Sequence, residues 1–160
     1  TYINQELPTL CRRFFGIQPV PERTYIMGLS MGGYGAMKCA FTAPQQYAGC
    51  AGFSSVAEIQ AELPQLCRWH EDQAIFPHGI VPPQDDLFDL VEKFRDGTCP
   101  MPRLFLACGQ QDSLYPANLR LRDTLQAMNC PLTWYEAPGD HNWFFWNDAL
   151  GRAMKELLEN

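Results

Sequence analysis

The apolar positions of the chain fall into two patterns, short continuous runs and runs at helical spacing. The continuous runs are rich in β-branched and aromatic residues and are bounded by proline and glycine, which is typical of buried strands. They predict four strands, at residues 24–29, 50–53, 103–108 and 132–136. Apolar residues three and four positions apart predict helices, at residues 3–15, 32–42, 87–94, 121–128 and 146–157. This alternation favours an α/β fold in which helices cover both faces of a mostly parallel sheet.

The stretch between residues 54 and 102 interrupts the alternation. It is rich in proline and carries an acidic cluster at Asp85, Asp86 and Asp89. We expect it to be an excursion at the edge of the sheet, within a single domain that spans residues 1–160. Four strands make a thin sheet, and no strand precedes the first helix. We therefore expect the chain to be the C-terminal portion of a larger α/β domain, with the N-terminal strands missing.

Composition and charge exclude several classes of partner. The 160 residues are 46% apolar and 19% charged, as in globular domains, and they suffice for one core. The net charge of −6 at pH 7 repels phosphate groups, so we expect neither nucleic acid nor a membrane as a partner. No apolar run is long enough to cross a membrane, and no stretch resembles a secretory signal. The sequence leaves the formation of a homo-oligomer open.

The seven cysteines form neither a recognisable metal site nor a disulfide framework. Their number is odd and no CxxC pair occurs, and the three histidines show no ligand spacing. We therefore expect no metal and no cofactor, which disfavours a metal-dependent deacetylase. Dinucleotide binding is disfavoured as well, because the glycines after the first strand lack the G-x-G-x-x-G spacing. Reduced thiols, as in a cytoplasmic protein, are expected.

The glycine-rich segment after the first strand has the pattern of a nucleophile elbow. Residues 28–33 read Gly-Leu-Ser-Met-Gly-Gly, which places Ser30 in a G-x-S-x-G motif between a strand and a helix. Such a turn holds the serine in a strained conformation, with its hydroxyl exposed at the positive end of a helix dipole. The backbone N–H of Met31 then points to where an oxyanion would form. The alternative is a glycine-rich turn without catalytic chemistry.

A serine nucleophile needs a base and a carboxylate that orients the base. His141 lies in the loop after the fourth predicted strand, and Asp112 lies in the loop after the third. Open α/β sheets place their sites at the carboxyl ends of their strands, and the order Ser30, Asp112, His141 is that of α/β-hydrolases. Asp140, beside the histidine, is the rival acid. The other two histidines lie in the proline-rich stretch, at His70 and His78.

Four stretches of the chain resemble a family of α/β-hydrolases that includes esterase D and S-formylglutathione hydrolases, tributyrin esterases, and feruloyl or acetylxylan esterases. The matching stretches are Glu6–Pro8, Arg23–Lys38, Leu106–Asp112 and Pro138–Trp146. The most specific is Gly-Leu-Ser-Met-Gly-Gly-Tyr-Gly at residues 28–35. The stretch His-Asn-Trp-Phe-Phe-Trp is closer to the tributyrin and feruloyl branch than to the formylglutathione branch.

The resemblance implies an α/β-hydrolase fold, a three-layer sandwich around a mostly parallel sheet. It implies Ser30 as nucleophile, His141 as general base and Asp112 as the orienting acid. It also implies an N-terminal half whose His-Gly loop supplies a second oxyanion donor, and no stretch of this sequence corresponds to that loop.

The leading hypothesis is a serine esterase that hydrolyses small esters, with short-chain acyl, acetyl or feruloyl groups, through an acyl-enzyme. Trp143 is predicted to line an acyl or aryl pocket. The alternative is that these aromatic residues pack the last helix on the sheet, which we favour for Phe145 and Trp146. Two other hypotheses are a thioesterase of the S-formylglutathione hydrolase type and a truncated, non-catalytic module with the hydrolase fold.

Overall fold

The computed structural model of the protein describes residues 2–66 and 75–159. Its centre is a sheet of four parallel strands in the order β1-β2-β3-β4. The strands are β1 (Tyr25–Leu29), β2 (Gly49–Phe53), β3 (Arg103–Gly109) and β4 (Leu132–Ala137). The α-helices are α1 (Leu7–Phe15), α2 (Met31–Thr42), α3 (Ile59–Leu66), α4 (Leu87–Val91), α5 (Tyr115–Ala127) and α6 (Trp143–Leu158). The predicted α/β class is confirmed, and every predicted strand boundary agrees within one residue.

Two hydrophobic layers enclose the sheet. Each connection leads to the next neighbouring strand, and right-handed connections in one direction place their helices on one face. On that face Met37 of α2 and Leu121 of α5 belong to the same core cluster as Leu106 of β3. On the other face Ala149 of α6 packs in a second cluster with Phe105 of β3. The predicted cover of both faces is thus confirmed.

The N-terminal part of the chain is the least buried. Helix α1 ends at Phe15, where the predicted helix also ends, because Gly16 caps it in the left-handed conformation (φ 67°). No residue of α1 is buried, and Phe14 and Phe15 are 67% and 75% exposed. Strand β1 is half-buried along its length whereas β2 is buried throughout, since β1 has a neighbouring strand on one side only. Among the described residues, the apolar side of α1 and the outer edge of β1 are therefore uncovered.

Part of the stretch between β2 and β3 packs against the core. The helix expected there consists of α4 and one further 3₁₀ turn, and Leu87 and Val91 are fully buried in the larger core cluster. The Asp86 carboxylate caps α4 by accepting hydrogen bonds from two backbone N–H groups at its start. Tyr34 of α2 donates a hydrogen bond to the Asp85 carbonyl oxygen (2.6 Å). This part of the stretch therefore packs on α2 as part of the core.

Candidate active site

Ser30 lies in the sharp turn between β1 and α2. Its φ of 54° and ψ of −121° fall outside the ordinary regions for a residue with a side chain, and such strain is typical of functional positions. The Ser30 N–H donates to the carbonyl oxygen of Phe53 (2.8 Å), and the Ser30 carbonyl oxygen accepts from the N–H of Gly33 (3.0 Å). These bonds hold the turn from both sides and keep the hydroxyl at the carboxyl end of the sheet.

Glycines allow the strand and the helix to approach each other at this turn. A Cβ atom at Gly28 would overlap the carbonyl oxygen of Gly32, and a Cβ atom at Gly33 would overlap the hydroxyl of Ser55. At Gly32 itself, by contrast, a Cβ atom would have no such neighbour within 4 Å. Of the two glycines in the G-x-S-x-G motif, only the first is therefore required by steric contact.

Asp112 is a buried carboxylate in the turn between β3 and α5. Its side chain is fully shielded from solvent, and its backbone N–H donates to the Gly109 carbonyl oxygen (3.1 Å). Oδ1 accepts a hydrogen bond from the N–H of Leu114 (2.9 Å), and Oδ2 faces the imidazole of His141. Each oxygen of the buried carboxylate therefore has a polar partner, as buried charges require.

His141 lies in the loop between β4 and α6, directly before the residue that caps the helix. That residue is Asn142, whose side-chain oxygen accepts hydrogen bonds from the N–H groups of Phe144 (3.0 Å) and Phe145 (3.4 Å). The Asp140 carboxylate accepts a hydrogen bond from the backbone N–H of His141 (2.7 Å). The backbone is therefore fixed on both sides of His141, whose side chain is 33% exposed.

Three side chains predicted from the sequence meet in one line of contacts. His141 Nδ1 lies 2.9 Å from Asp112 Oδ2, and His141 Nε2 lies 3.0 Å from Ser30 Oγ. A carboxylate only accepts hydrogen bonds, so Nδ1 carries the proton and Nε2 is left to accept from the Ser30 hydroxyl. Asp140 contacts the backbone of this histidine instead of its ring. The arrangement can pass a proton from the serine hydroxyl to the imidazole.

The remaining two histidines do not enter this arrangement. His78 is exposed in the 3₁₀ turn Pro77–Gly79, and His70 lies outside the described residues. Within residues 2–66 and 75–159, no three His, Cys, Asp or Glu side chains are grouped so that they could hold a metal ion. No helix in this part of the chain is both long and apolar enough to span a bilayer.

Met31, the predicted oxyanion donor, is the first residue of α2 and is 44% exposed. The first N–H groups of a helix have no partner within the helix, and they lie at the positive end of its dipole. Met31 directly follows the strained Ser30, at this end of the helix.

Trp143, the predicted substrate contact, is the first residue of α6 and is 65% exposed. Its ring packs edge-on against that of Trp146, with 5.6 Å between the ring centroids. Together with Phe144 and Asn147 it lines a shallow groove of about 340 Å³. Phe145, which is buried, and Trp146, which is partly buried, help to pack α6 on the sheet, as expected. Trp143 therefore presents an aromatic surface to solvent two residues after His141.

Three further side chains make contacts near the site that were not predicted from the sequence. Trp146 Nε1–H donates to Ser54 Oγ (3.0 Å), and the ring of Trp146 lies 4.9 Å from that of His141. Gln111 links the loop that carries Asp112 to the loop that carries His141. Its side-chain Oε1 accepts a hydrogen bond from the Gly139 N–H (2.6 Å), and its backbone N–H donates to the Gly139 carbonyl oxygen (2.9 Å). Ser54 directly follows β2, so its position at the carboxyl edge was the one available signal.

Burial determines the protonation state of a cysteine beside the site. Cys108 is fully buried near the end of β3, and its Sγ lies 4.0 Å from Ser54 Oγ. Burial, reinforced by the negative charge of Asp112, raises the pKa of the Cys108 thiol to about 12. The thiol is therefore protonated near neutral pH and does not compete as a nucleophile.

A second carboxylate, which is not part of the line of contacts from Asp112 to Ser30, stabilises the same edge of the sheet. Glu136, near the end of β4, accepts hydrogen bonds from Trp134 Nε1 (2.7 Å) and from the Tyr115 hydroxyl (2.9 Å). These hydrogen bonds lower the pKa of the Glu136 carboxyl group. Because Tyr115 opens α5, this contact ties β4 to the helix that follows Asp112.

Comparison with known proteins finds similarity to proteins named as esterases and S-formylglutathione hydrolases. The family model described as Putative esterase matches residues 1–88. An acetyl esterase of Caldicellulosiruptor saccharolyticus is 28% identical over 163 residues, which cover 96% of this chain and 61% of that protein. An S-formylglutathione hydrolase of Bos taurus is 25% identical, over 91% of this chain and 51% of that protein. The chain thus spans about half to three-fifths of the length of these relatives.

Solved structures show the same architecture. The fluorophosphonate-binding serine hydrolase F of Staphylococcus aureus, with substrate bound, has a TM-score of 0.85 and 29% identity, covering 99% of this chain and 63% of its own. An S-formylglutathione hydrolase of the same species has a TM-score of 0.79 and 30% identity, covering 95% of this chain and 57% of its own. These matches confirm a partial α/β-hydrolase fold. Since the family model covers more than half of the chain as well, the chain belongs to the Putative esterase family.

Proposed function

We propose that the chain carries the catalytic triad of a serine carboxylic-ester hydrolase. The observation that supports this most strongly is the line of contacts from Asp112 through His141 to Ser30. A strained serine, an imidazole with a fixed tautomer and a buried carboxylate are the groups that nucleophilic attack on an ester needs. The relatives named acetyl esterase and fluorophosphonate-binding serine hydrolase support the same chemistry.

In the first half-reaction, Ser30 Oγ attacks the carbonyl carbon of the ester while its proton passes to His141 Nε2. Asp112 stays ionised and stabilises the imidazolium through the Nδ1–H. The N–H of Met31 binds the negative charge that develops on the carbonyl oxygen. The bond to the alcohol oxygen then breaks, Nε2 returns its proton to the departing alcohol, and the acyl group remains on Ser30.

In the second half-reaction, His141 takes a proton from water, whose oxygen attacks the acyl carbon. The carboxylic acid leaves, and Nε2 returns a proton to Ser30 Oγ. Removal of a single oxyanion donor costs about 10²–10³-fold in rate, so the donor at Met31 needs a companion. By the family resemblance, a His-Gly loop supplies that companion, and no stretch of residues 1–160 corresponds to it.

The proposed substrates are small esters with short-chain acyl, acetyl or feruloyl groups. The exposed ring of Trp143, two residues after His141, is the side chain we assign to acyl or aryl contacts. Aromatic side chains supply large contact areas with specific ring geometry. Replacing Trp143 with alanine should therefore raise KM for a feruloyl ester more than for an acetyl ester.

A thioesterase acting on S-formylglutathione is the second candidate, because two proteins with that name match 91% and 95% of this chain. The same triad serves both reactions, so the chemistry of the leaving group decides between them. Parallel measurements of kcat/KM on S-formylglutathione, p-nitrophenyl acetate and a feruloyl ester separate the two. A preference for the thioester would replace the ester assignment.

A fluorophosphonate probe tests the triad directly, since it phosphonylates an activated serine. The wild-type protein should be labelled, with the adduct on the peptide that contains Ser30, and Ser30→Ala should abolish the label. Ser113→Ala removes an exposed serine beside Asp112 and should leave the label unchanged. A wild-type protein that is folded by circular dichroism and remains unlabelled would favour the non-catalytic module instead.

A further inference from the structure

The imidazole of His141 has a neighbour beyond its two hydrogen-bonding partners. The ring of Trp146 stands nearly perpendicular to it, with an interplanar angle of 84° and 4.9 Å between the ring centroids. Perpendicular aromatic pairs at this distance are attractive. Asp112 and Ser30 contact the two ring nitrogens, and the indole packs against the ring itself.

The indole is in turn held by a rigid anchor. Trp146 Nε1–H donates to Ser54 Oγ over 3.0 Å, a contact between residues 92 positions apart in the sequence. Ser54 is fully buried, has a φ of 46°, and donates its own N–H to the Ala107 carbonyl oxygen (2.7 Å). A strained, buried residue persists only where its surroundings fix it, so Ser54 offers the indole a single position.

Ordinary packing of α6 does not account for this arrangement. Phe145, its neighbour, is 5% exposed and stacks on Tyr135 of β4, with 5.9 Å between the ring centroids and an interplanar angle of 7°. That contact joins the helix to the sheet. Trp146 also touches this apolar layer, but its polar end is directed to the end of β2 and its ring to His141.

We propose that Trp146 is a positioning residue that holds the His141 imidazole in line between Asp112 and Ser30, and that the Ser54 hydroxyl sets the position of the indole. This inference rests on the proposed function, because it assigns Trp146 a role in the proton transfer. Misplacement of a reacting group by 1 Å can cost about 10²-fold in rate, so a contact that prevents such movement has a measurable effect.

The test uses the rate of phosphonylation at Ser30, together with kcat and KM for p-nitrophenyl acetate, in variants checked for folding. Trp146→Leu should lower kcat and the phosphonylation rate by roughly 10- to 100-fold, with KM nearly unchanged. Trp146→Phe keeps a ring against His141 and should recover most of the rate. Trp134→Leu removes another half-buried indole, whose Nε1 bonds Glu136, and should leave both rates near wild type.

A pair of adjacent serines separates the anchor from general packing. Ser54→Ala removes the acceptor of the indole N–H and should lower kcat by several-fold. Ser55→Ala removes a buried hydroxyl that has no hydrogen-bond partner among the described residues, so its kcat should match that of wild type. Equal effects of the two substitutions would overturn the role of Ser54.

A double variant that carries both Trp146→Leu and His141→Ala tests whether Trp146 acts through the imidazole. Groups that act as a unit are strongly non-additive, so Trp146→Leu should cause no further loss in the His141→Ala background. If the loss is the same in both backgrounds, or if Trp146→Leu reacts as fast as Trp134→Leu, the inference is wrong. If the wild-type protein is folded and is not labelled by the probe, the proposed function is wrong, and the inference that rests on it is wrong as well.

Discussion

Replacing Gly28 with alanine should open the turn at Ser30 and slow the reaction of this serine, while the other two members of the proposed triad stay in place. The new Cβ atom would overlap the carbonyl oxygen of Gly32 and lie 2.8 Å from the backbone nitrogen of Gly33. Both neighbours are backbone atoms, which cannot rotate away as a flexible side chain can. The strand and the helix must therefore separate.

The size of the effect follows from these distances. Ordinary contacts of a Cβ atom begin at 3.4 Å, so the Gly33 nitrogen alone has to retreat by about 0.6 Å, and the Gly32 carbonyl by more. Overpacking of this kind costs roughly 1–3 kcal/mol of stability. Because a shift of 1 Å in a reacting group costs about 10²-fold in rate, we expect phosphonylation of Ser30 to slow by about 10- to 100-fold.

The matched control is Gly35→Ala, in the second turn of α2, where a Cβ atom would meet nothing within 4 Å. This variant should be more stable than wild type by roughly 0.5–1 kcal/mol, because glycine is unfavourable within a helix, and should react at the wild-type rate. Urea denaturation measures the free energy of unfolding. Labelling with the fluorophosphonate probe, quenched at successive times, measures the rate at which Ser30 is phosphonylated. A Gly28→Ala protein that reacts as fast as Gly35→Ala would refute the steric argument.

Three further predictions concern charged and ionisable groups. Asp112→Asn should lower kcat by about 10⁴-fold, the loss measured when a triad aspartate elsewhere is replaced, whereas Asp140→Asn should change it little, since Asp140 contacts only the histidine backbone. Glu136→Gln should lower the free energy of unfolding at pH 7. The pKa of Glu136 is lowered in the folded state, so its contribution is lost as the pH falls through that value, and the two proteins should converge in acid. Cys50 and Cys108, whose thiol pKa values burial raises, should resist a thiol reagent at pH 8 until the protein is unfolded.

The strands and the candidate triad could be predicted from the sequence because their signals are local. Each strand is a short apolar run bounded by glycine or proline, and Ser30, Asp112 and His141 each follow one of these runs within a few residues. In a parallel sheet, strand ends meet at one edge, so local signals were enough to bring distant residues together.

Contacts between side chains of different elements could not be predicted in this way. The hydrogen bond from Trp146 to Ser54 depends on the direction of each side chain in the folded protein, and no motif records it. The requirement for glycine at position 33 arises from the hydroxyl of Ser55, which follows a different strand. The burial of Leu87 could not be predicted either. The proline-rich composition of residues 54–102 is typical of surface loops and does not show what a short helix within them packs against.

The contact between His141 and Ser30 joins residues 111 positions apart in the sequence. Ser30 follows β1 and His141 follows β4, the two outermost strands of the described sheet, so the contact requires β2 and β3 to be paired between them. We therefore expect it to form late in folding. During refolding, the recovery of phosphonylation at Ser30 should therefore lag behind the recovery of helical circular dichroism. The fraction of molecules phosphonylated at Ser30 would then report the fraction in which all four strands have paired.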